Sequence, residues 1–511
     1  TTKKEETSFS LTEDEVLTLA KWGCIIEEHY GIAQDIEWAK DGKTKKLFVV
    51  QSRPETVHNA GNSNVYEEYE IDISEEPLVT GIAIGEKIGS GKVRVISDVR
   101  RMKEFEEGEV LVTKMTDPDW NSIMVKASAI ITDEGGKTCH SAIISRELGI
   151  PCIVGSKDAT KKLKTGMKVT VDCTEMKGRV FNKEIPFQVK KYDLKEIPSL
   201  PMKIMLNMGT PESAFKSSFL PVSGVGLARE EFIIAEKIKA HPLALVHFNK
   251  LKSKMTKEEV EKIEDLTRGY KNKTDFYVDE LTEGISQIGA AFYPKPVIVR
   301  FSDFKSNEYK NLIGGKYFED EESNPMLGFR GACRYIDPKF QPAFELECKA
   351  IKKAREVFGL TNIAVMVPFC RTIEEGKKVR EIMKEFGLKD NSLKVYVMCE
   401  IPSNVILADE FLDIFDGMSI GSNDLTQLIL GLDRDNGKIA YIGNEKNEAV
   451  MEMIKDVIKK CKQRKKYCGI CGQAPSDYPE FAKFLMKEGI ESSSLNPDTV
   501  IKTILKLSNR L

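Results

Sequence analysis

Apolar residues along this chain come in short bursts whose spacing changes from segment to segment. In residues 11–30, "LTEDEVLTLAKWGCIIEEHY", a Thr-x-x-Glu pattern precedes apolar positions at helical spacing, which predicts a helix opened by a capping box. The stretch "QDIEWAKDGKTKKLFVVQSRPE", residues 34–55, reads as strand, Asp-Gly turn and strand, a hairpin. One helix and one hairpin cannot bury a core of their own, so residues 1–58 are expected to be the closing part of a larger domain. Residues 59–77, "NAGNSNVYEEYEIDISEEP", are polar and acidic without an apolar period and predict a linker.

From 78 to 182, apolar strands such as "EVLVTK", "ASAIITDEGG", "CIVG" and "KVTVDC" alternate with glycine turns and one helix after Gly136, which predicts a compact mixed α/β domain. Residues 183–200 predict a second linker. In residues 201–511, buried-type strands alternate with longer amphipathic stretches such as "TIEEGKKVREIMKEFG". Seven strands are secure: "KIMLNMG", "GVGLAREE", "PVIVRFSDF", "IAVMVPF", "KVYVMCEIP", "GMSIGSNDL" and "YCGICGQAP". Repeated βα units of this length predict a (β/α)8 barrel of the TIM type. The eighth strand is expected around "MLGFRGACRYI" or "FELECKAI", where the pattern blurs.

Composition narrows the function classes. Lys+Arg 76 against Asp+Glu 79 gives a net charge of −3, so nothing in the overall charge points to nucleic acid or an anionic membrane. No apolar run reaches the roughly 18 residues of a membrane span, and "TTKKEETSFS" lacks the apolar core of a signal peptide. A cytoplasmic protein is expected. The 11 cysteines fit that compartment as free thiols, and only Cys468 and Cys471 form a C-x-x-C pair.

In such a barrel the chemistry sits where strands run into the loops that follow them. Arg229 ends "GVGLAR", Arg300 ends "VIVR", and Arg330 lies in "NPMLGFRG". Each alone is as readily a rim ion pair, but together these guanidiniums suit a small phosphate that also bears a carboxylate. Glu400 after "VYVMC" and Asp424 after "MSIGSN" stand on neighbouring strands and can share a Mg²⁺ that keeps waters. Asp424 is alternatively a helix cap within Ser-Asn-Asp. Asn423 and the backbone of Gly421 and Ser422 offer neutral hydrogen bonds. Cys471 is a candidate proton donor or acceptor at carbon, its rival being a redox pair with Cys468. Strand alternation turns only one of the two thiols into the site.

His140 is one of 5 histidines and follows Gly135 and Gly136 at the mouth of a predicted helix. Imidazole is nucleophilic at neutral pH, and free N–H groups at a helix start stabilise a phosphoryl group. A capping or core histidine is the alternative; the apolar residues Ile143, Ile144 and Leu148 of that helix do not require it.

"GGKTCHSAIISRELGIPCIVG" (135–155) resembles the phosphohistidine signature of the phosphoenolpyruvate-utilising enzymes, and residues 400–436, "EIPSNVILADEFLDIFDGMSIGSNDLTQLILGLDRDN", resemble their barrel signature. The similarity runs from about residue 34 to the C-terminus. The segment "GICGQAPSDYPEFAKFLMKEGIESSSLNPDTV" (469–500) is more similar to the pyruvate, water dikinase branch than to pyruvate, phosphate dikinase, which is the alternative and differs in requiring phosphate. The resemblance implies a multidomain α/β enzyme: a C-terminal (β/α)8 barrel, a central swivelling phosphohistidine domain and an N-terminal remnant of an ATP-grasp domain. It implies formation of phosphoenolpyruvate from pyruvate, ATP and water, with AMP and phosphate as the other products. His140 is then the phosphoryl carrier and Cys471 the proton donor or acceptor at the methyl carbon. Arg229 and Arg300 lie on phosphate and carboxylate, Glu400 and Asp424 on Mg²⁺, and Gly421, Ser422 and Asn423 around the substrate. Glu37, Gln51 and Arg53 match nucleotide and metal contacts, although the bulk of an ATP-grasp domain is not in this sequence. The resemblance also implies a homo-oligomer formed through the barrel. Enzyme I of the sugar phosphotransferase system lacks a counterpart of residues 34–55. A truncated, assembly-forming homologue is the reading from another class, and it has no need of a Cys-Glu-Asp-Arg cluster.

Overall fold

The computed structural model describes residues 10–31, 34–54, 65–73, 75–85, 87–116, 120–136, 139–175, 177–193, 199–432, 439 and 442–508. The chain folds as two compact units, Phe9–Glu196 and Ile197–Leu511. No helix among the described residues is long and apolar enough to cross a membrane.

The first unit opens with the helix Glu13–Tyr30. Its capping box forms as the sequence predicts: the Glu15 backbone N–H donates to Thr12 Oγ1 at 3.3 Å, and the Thr12 N–H donates to Glu15 Oε2 at 2.8 Å. The helix stops at Gly31, whose φ of +70° favours glycine. Strands β1 (Gln34–Lys40) and β2 (Leu47–Pro54) pair antiparallel, with a register shift between Glu37 and Trp38. None of the helix's residues is buried, and Leu17, Ile25 and Phe48 are at least half exposed, so this piece makes no core of its own.

The two segments expected to be linkers depart from that expectation. Part of each forms a strand, β3 (Val65–Ile71) and β11 (Phe187–Asp193), paired with each other antiparallel. Residues 59–64, 74 and 194–198 of the expected linkers lie outside the described residues. Opposite charges across the pair, Lys190–Glu70 at 2.7 Å and Lys191–Glu67 at 3.1 Å, and Tyr69 against Phe187 hold this ribbon together. Its polarity hides it from a search for apolar periods.

Between the two ribbon strands, β4 (Val79–Ile84), β5 (Ile88–Val95), β6 (Val110–Thr113), β7 (Ala129–Thr132), β8 (Cys152–Val154), β9 (Lys168–Asp172) and β10 (Lys177–Phe181) close a barrel in the order β10-β4-β8-β7-β6-β5-β9. Alternate residues supply its two cores. Val110, Val112, Ala129, Ile131 and Ile153 face one, while Leu111, Ile130, Cys152 and Val154 pack with Trp120, Met124 and Ala142 in the other.

The second unit is a closed barrel of eight parallel strands: β12 (Lys203–Met208), β13 (Val225–Arg229), β14 (Val297–Arg300), β15 (Ile363–Val367), β16 (Val395–Cys399), β17 (Gly417–Ile420), β18 (Tyr467–Ile470) and β19 (Ser492–Leu495). The seven strands read from the sequence are β12 to β18. The eighth corrects the prediction: "MLGFRGACRYI" contains the short helix Ala332–Ile336, "FELECKAI" belongs to the helix Gln341–Glu356, and the barrel is closed by "SSSL". Those serines are fully buried, Ser492 and Ser493 at 0% exposure and Ser494 at 1%. Small side chains are needed because neighbouring backbone approaches closely: a Cβ on Gly226 would stand 1.9 Å from Ser494 Oγ. Ser492 Oγ in turn lies 2.6 Å from the Tyr467 hydroxyl. Gly226→Ala is therefore expected to destabilise this unit by about 1–3 kcal/mol through overpacking. Urea denaturation followed by tryptophan-independent far-UV dichroism reads that shift.

Candidate active site

Parallel strands in a barrel deliver their last residues to one rim. Arg229 and Arg300 end β13 and β14 and stand opposite each other in register. A cavity of about 670 Å³ opens at this rim, and its walls include Arg229, Arg300, Arg330, Glu400, Asp424 and Cys471. Gly421 and the exposed Asn423 also line it. Ser422 is not among its lining residues: the Ser422 hydroxyl donates to Glu445.

The arginines are held by acids that the sequence reading passed over. Arg300 donates to Glu231 Oε1 at 2.9 Å and pairs with Asp303 at 3.3 Å. Arg330 makes a two-pronged contact with Asp303, Nε to Oδ1 at 3.0 Å and Nη2 to Oδ2 at 2.6 Å, and reaches Asp424 at 3.4 Å. Its guanidinium also lies 4.1 Å from the centre of the Phe369 ring. Burial works against charge on Asp303, yet Arg330 and Arg300 hold its carboxyl below the usual range. Burial likewise opposes the charge on Arg300, and Glu231, Asp303 and Glu400 outweigh it. Arg300 Nε meets no acceptor among the described residues, so a donor remains for an incoming anion. In the sequence Glu231 stands two residues after Arg229 and Asp303 three residues after Arg300, spacings that do not by themselves single out either acid.

Glu400 is 1% exposed. Its Oε1 accepts the Phe369 N–H at 2.7 Å, while Oε2 meets no donor among the described residues. Burial, with Asp303 and Asp424 nearby, pushes its carboxyl up to about 8. A Cβ on Gly421 would come within 2.8 Å of Glu400 Oε2, so glycine keeps the space in front of that oxygen open. A buried carboxylate oxygen without a donor, beside a second carboxylate, suits a hard cation that retains waters. Among the described residues no three His, Cys, Asp or Glu side chains come together as a ready-made metal site.

Cys471 lines the cavity and Cys468 does not, as strand alternation requires. Cys468 is buried beside Cys461, and both are free thiols. Burial pushes the Cys471 thiol up, against the pull of Ser419 and Arg300. The thiol is therefore neutral and able to donate a proton.

In the first unit, His140 is the first residue of the helix His140–Leu148, as the sequence predicts; what is described of it is its backbone. Gly135 before it has φ +114°, and a Cβ there would meet Cys139 Sγ at 2.6 Å. Lys137 and Thr138 of the signature lie outside the described residues, as do residues 433–436 of the barrel signature. On the hairpin, Glu37 pairs directly with Gln51 and Asp35 with Arg53, whose side chain is not described. Glu37 and Gln51 are exposed.

A rim of arginines, paired carboxylates and a thiol on a parallel barrel, with a separate histidine-bearing barrel, defines a class. The PEP-binding domain of PEP-utilising enzymes matches residues 188–510, their mobile domain residues 105–176, and the AMP/ATP-binding domain of pyruvate phosphate dikinase residues 1–72. The chain belongs to the PEP-utilising enzymes. Among its relatives, the phosphoenolpyruvate synthase of Aquifex aeolicus is 52% identical over 98% of this chain, and that of Escherichia coli 53% identical over 98%. The phosphoenolpyruvate synthase of Helicobacter pylori is 53% identical over 100% of it. The chain spans 63–65% of the length of these relatives.

Proposed function

We propose that this chain carries out the pyruvate half of phosphoenolpyruvate synthesis, within an enzyme that makes phosphoenolpyruvate from pyruvate, ATP and water. The observation that supports this best is the convergence of Arg229, Arg300, Arg330, Glu400, Asp424 and Cys471 on one cavity. In the direction of phosphoenolpyruvate cleavage, the arginines hold the phosphoryl and carboxylate groups, and the His140 imidazole takes the phosphoryl group as the P–O bond to the enol breaks. The enolate left behind gains a proton at its methylene carbon from the Cys471 thiol and becomes pyruvate. Glu400 and Asp424 would hold Mg²⁺, which would supply charge neutralisation at the phosphoryl and enolate oxygens.

His140 serves both half-reactions if residues 78–182 swivel as a body, with 59–77 and 183–200 as the connecting segments and 201–511 as the substrate barrel. The N-terminal piece fits the end of an ATP-grasp domain, with Glu37, Gln51 and Arg53 toward nucleotide. We place the protein in the cytoplasm as a homo-oligomer joined through the barrel.

The direct assay is AMP and phosphate production from ATP and pyruvate, by this chain and by the longer gene product. With phosphate strictly required and pyrophosphate as product, the pyruvate, phosphate dikinase reading replaces this one. A second test concerns the metal: Glu400→Ala and Asp424→Ala should each lose phosphoenolpyruvate-dependent labelling of His140, and EDTA should mimic both. Because a cation must displace the proton that Glu400 keeps below about pH 8, Mg²⁺ affinity should fall as pH is lowered through that value. Full labelling in EDTA rules out the metal assignment.

A further inference from the structure

Behind the arginines lies a pair of buried acids that the reaction does not use. Glu230 directly follows β13, Glu347 sits on the helix Gln341–Glu356, and both are 0% exposed. Neither carboxylate oxygen of Glu230 receives an N–H or O–H from another group among the described residues. What it has is the Glu347 carboxyl, within hydrogen-bonding reach. Two carboxyl groups can bond to each other only when one carries a proton, and two bare charges side by side in an apolar interior repel strongly. Burial raises both groups, Glu347 to about 7 and Glu230 well above the usual range.

Glu347 also reaches the substrate cavity through one residue. Its Oε2 accepts the Ser302 N–H at 3.1 Å, and its Oε1 accepts the Ser302 hydroxyl at 2.6 Å. Ser302 is held again by the Tyr335 hydroxyl, which donates to its carbonyl at 2.5 Å, and it shares a 2.7 Å contact with the Tyr309 hydroxyl. The next residue is Asp303, which pairs with both Arg300 and Arg330. A continuous run of short contacts thus links the acid pair to the guanidiniums.

We propose that Glu230 and Glu347 share one buried proton, and that this pair, acting through Ser302, positions Asp303 and the two arginines for an anionic substrate. Glu347 is a positioning residue, not a catalytic one. The groups facing the pair are Glu231, Arg300 and Asp303 at the strand ends, Tyr277 from the helix Lys273–Phe292, Tyr309 and Tyr335 from two short helices, and Cys348 beside Glu347. Burial keeps the tyrosines and Cys348 neutral, so the shared proton is the titrating element of this cluster.

The proton part stands without the function proposed above; the positioning part rests on it. Glu230→Gln keeps the shape and gives Glu347 a permanent N–H donor. The infrared difference between wild type and Glu230→Gln at neutral pH should show a protonated-carboxyl band lost from the variant, over and above the Glu400 band common to both. With phosphoenolpyruvate as phosphoryl donor to His140, KM of this variant should rise less steeply than that of the wild type as pH is raised above neutral, because its Glu347 has no shared proton to lose. Glu347→Ala should raise that KM about tenfold or more with a smaller change in kcat, because displaced guanidiniums bind the substrate worse. It should also speed amide hydrogen exchange at Ser302, and Glu347→Gln should restore much of both. An unchanged infrared band in Glu230→Gln overturns the shared proton. Unchanged KM and unchanged Ser302 exchange in Glu347→Ala overturn the positioning. Should the wild type accept no phosphoryl group from phosphoenolpyruvate, the functional reading fails while the infrared and exchange results still judge the pair.

Discussion

His140→Asn is expected to reduce phosphoenolpyruvate-dependent phosphorylation of the chain below detection while leaving it folded. An amide nitrogen is not nucleophilic, so the loss is of the reacting atom itself and not of a supporting contact. The backbone there begins a helix of nine residues, and asparagine is well tolerated at a helix start, so the change should cost the fold well under about 1 kcal/mol. With radiolabelled phosphoenolpyruvate the wild type should take up one acid-labile, base-stable label per chain, and the variant none. Equal labelling of both proteins would move the carrier elsewhere. The expectation joins two separate observations: a helix N-terminus suited to phosphoryl oxygens, and a glycine at 135 that a side chain would force against Cys139.

The second large effect separates carbon from phosphorus. Cys471→Ala should leave label transfer to His140 close to normal yet slow the exchange of pyruvate methyl protons with solvent deuterium by about 10²- to 10⁴-fold, the usual worth of a positioned acid–base group. In the proposed mechanism, transfer at phosphorus uses the arginines and the two carboxylates, none of which depends on a bond from the thiol; the Cys471 Sγ hydrogen bond goes to the Ile420 carbonyl at 3.6 Å. Proton delivery at carbon needs a neutral donor inside the cavity, and burial keeps this thiol neutral. Cys468→Ala should leave both steps nearly normal, since that side chain lies outside the cavity wall. If the two variants instead fail together and the wild type responds to reductant, the pair is a redox couple and the proton-transfer role is wrong.

What the sequence made legible divides along physical lines. Seven barrel strands declared themselves because their residues are mostly apolar and buried on both faces. "SSSL" did not, because closing the ring needed small side chains beside Gly226 and Gly469, and serine carries no hydrophobic signal. Arginines at strand ends were visible one by one. Their partners Glu231 and Asp303 were not, since an acid gains meaning only once the fold brings a guanidinium to it. Glu230 and Glu347 lie over a hundred positions apart in sequence, and nothing local marks either as buried. The ribbon of β3 and β11 escaped for the opposite reason: cross-strand charges and two aromatic rings hold it, so its pattern resembles that of a solvated connector.

That ribbon makes the histidine-bearing barrel a portable cassette. Ile71 and Phe187 are register partners, so the chain enters and leaves the intervening segment at points about 5 Å apart. A segment whose ends already meet can be excised and its flanks rejoined by a tight turn, or its own ends can be joined to make a free-standing ring. It can equally be exchanged for the corresponding segment of a relative without stretching either neighbour. Chimeras that exchange this barrel as a whole unit should therefore be cut at this pair of strands.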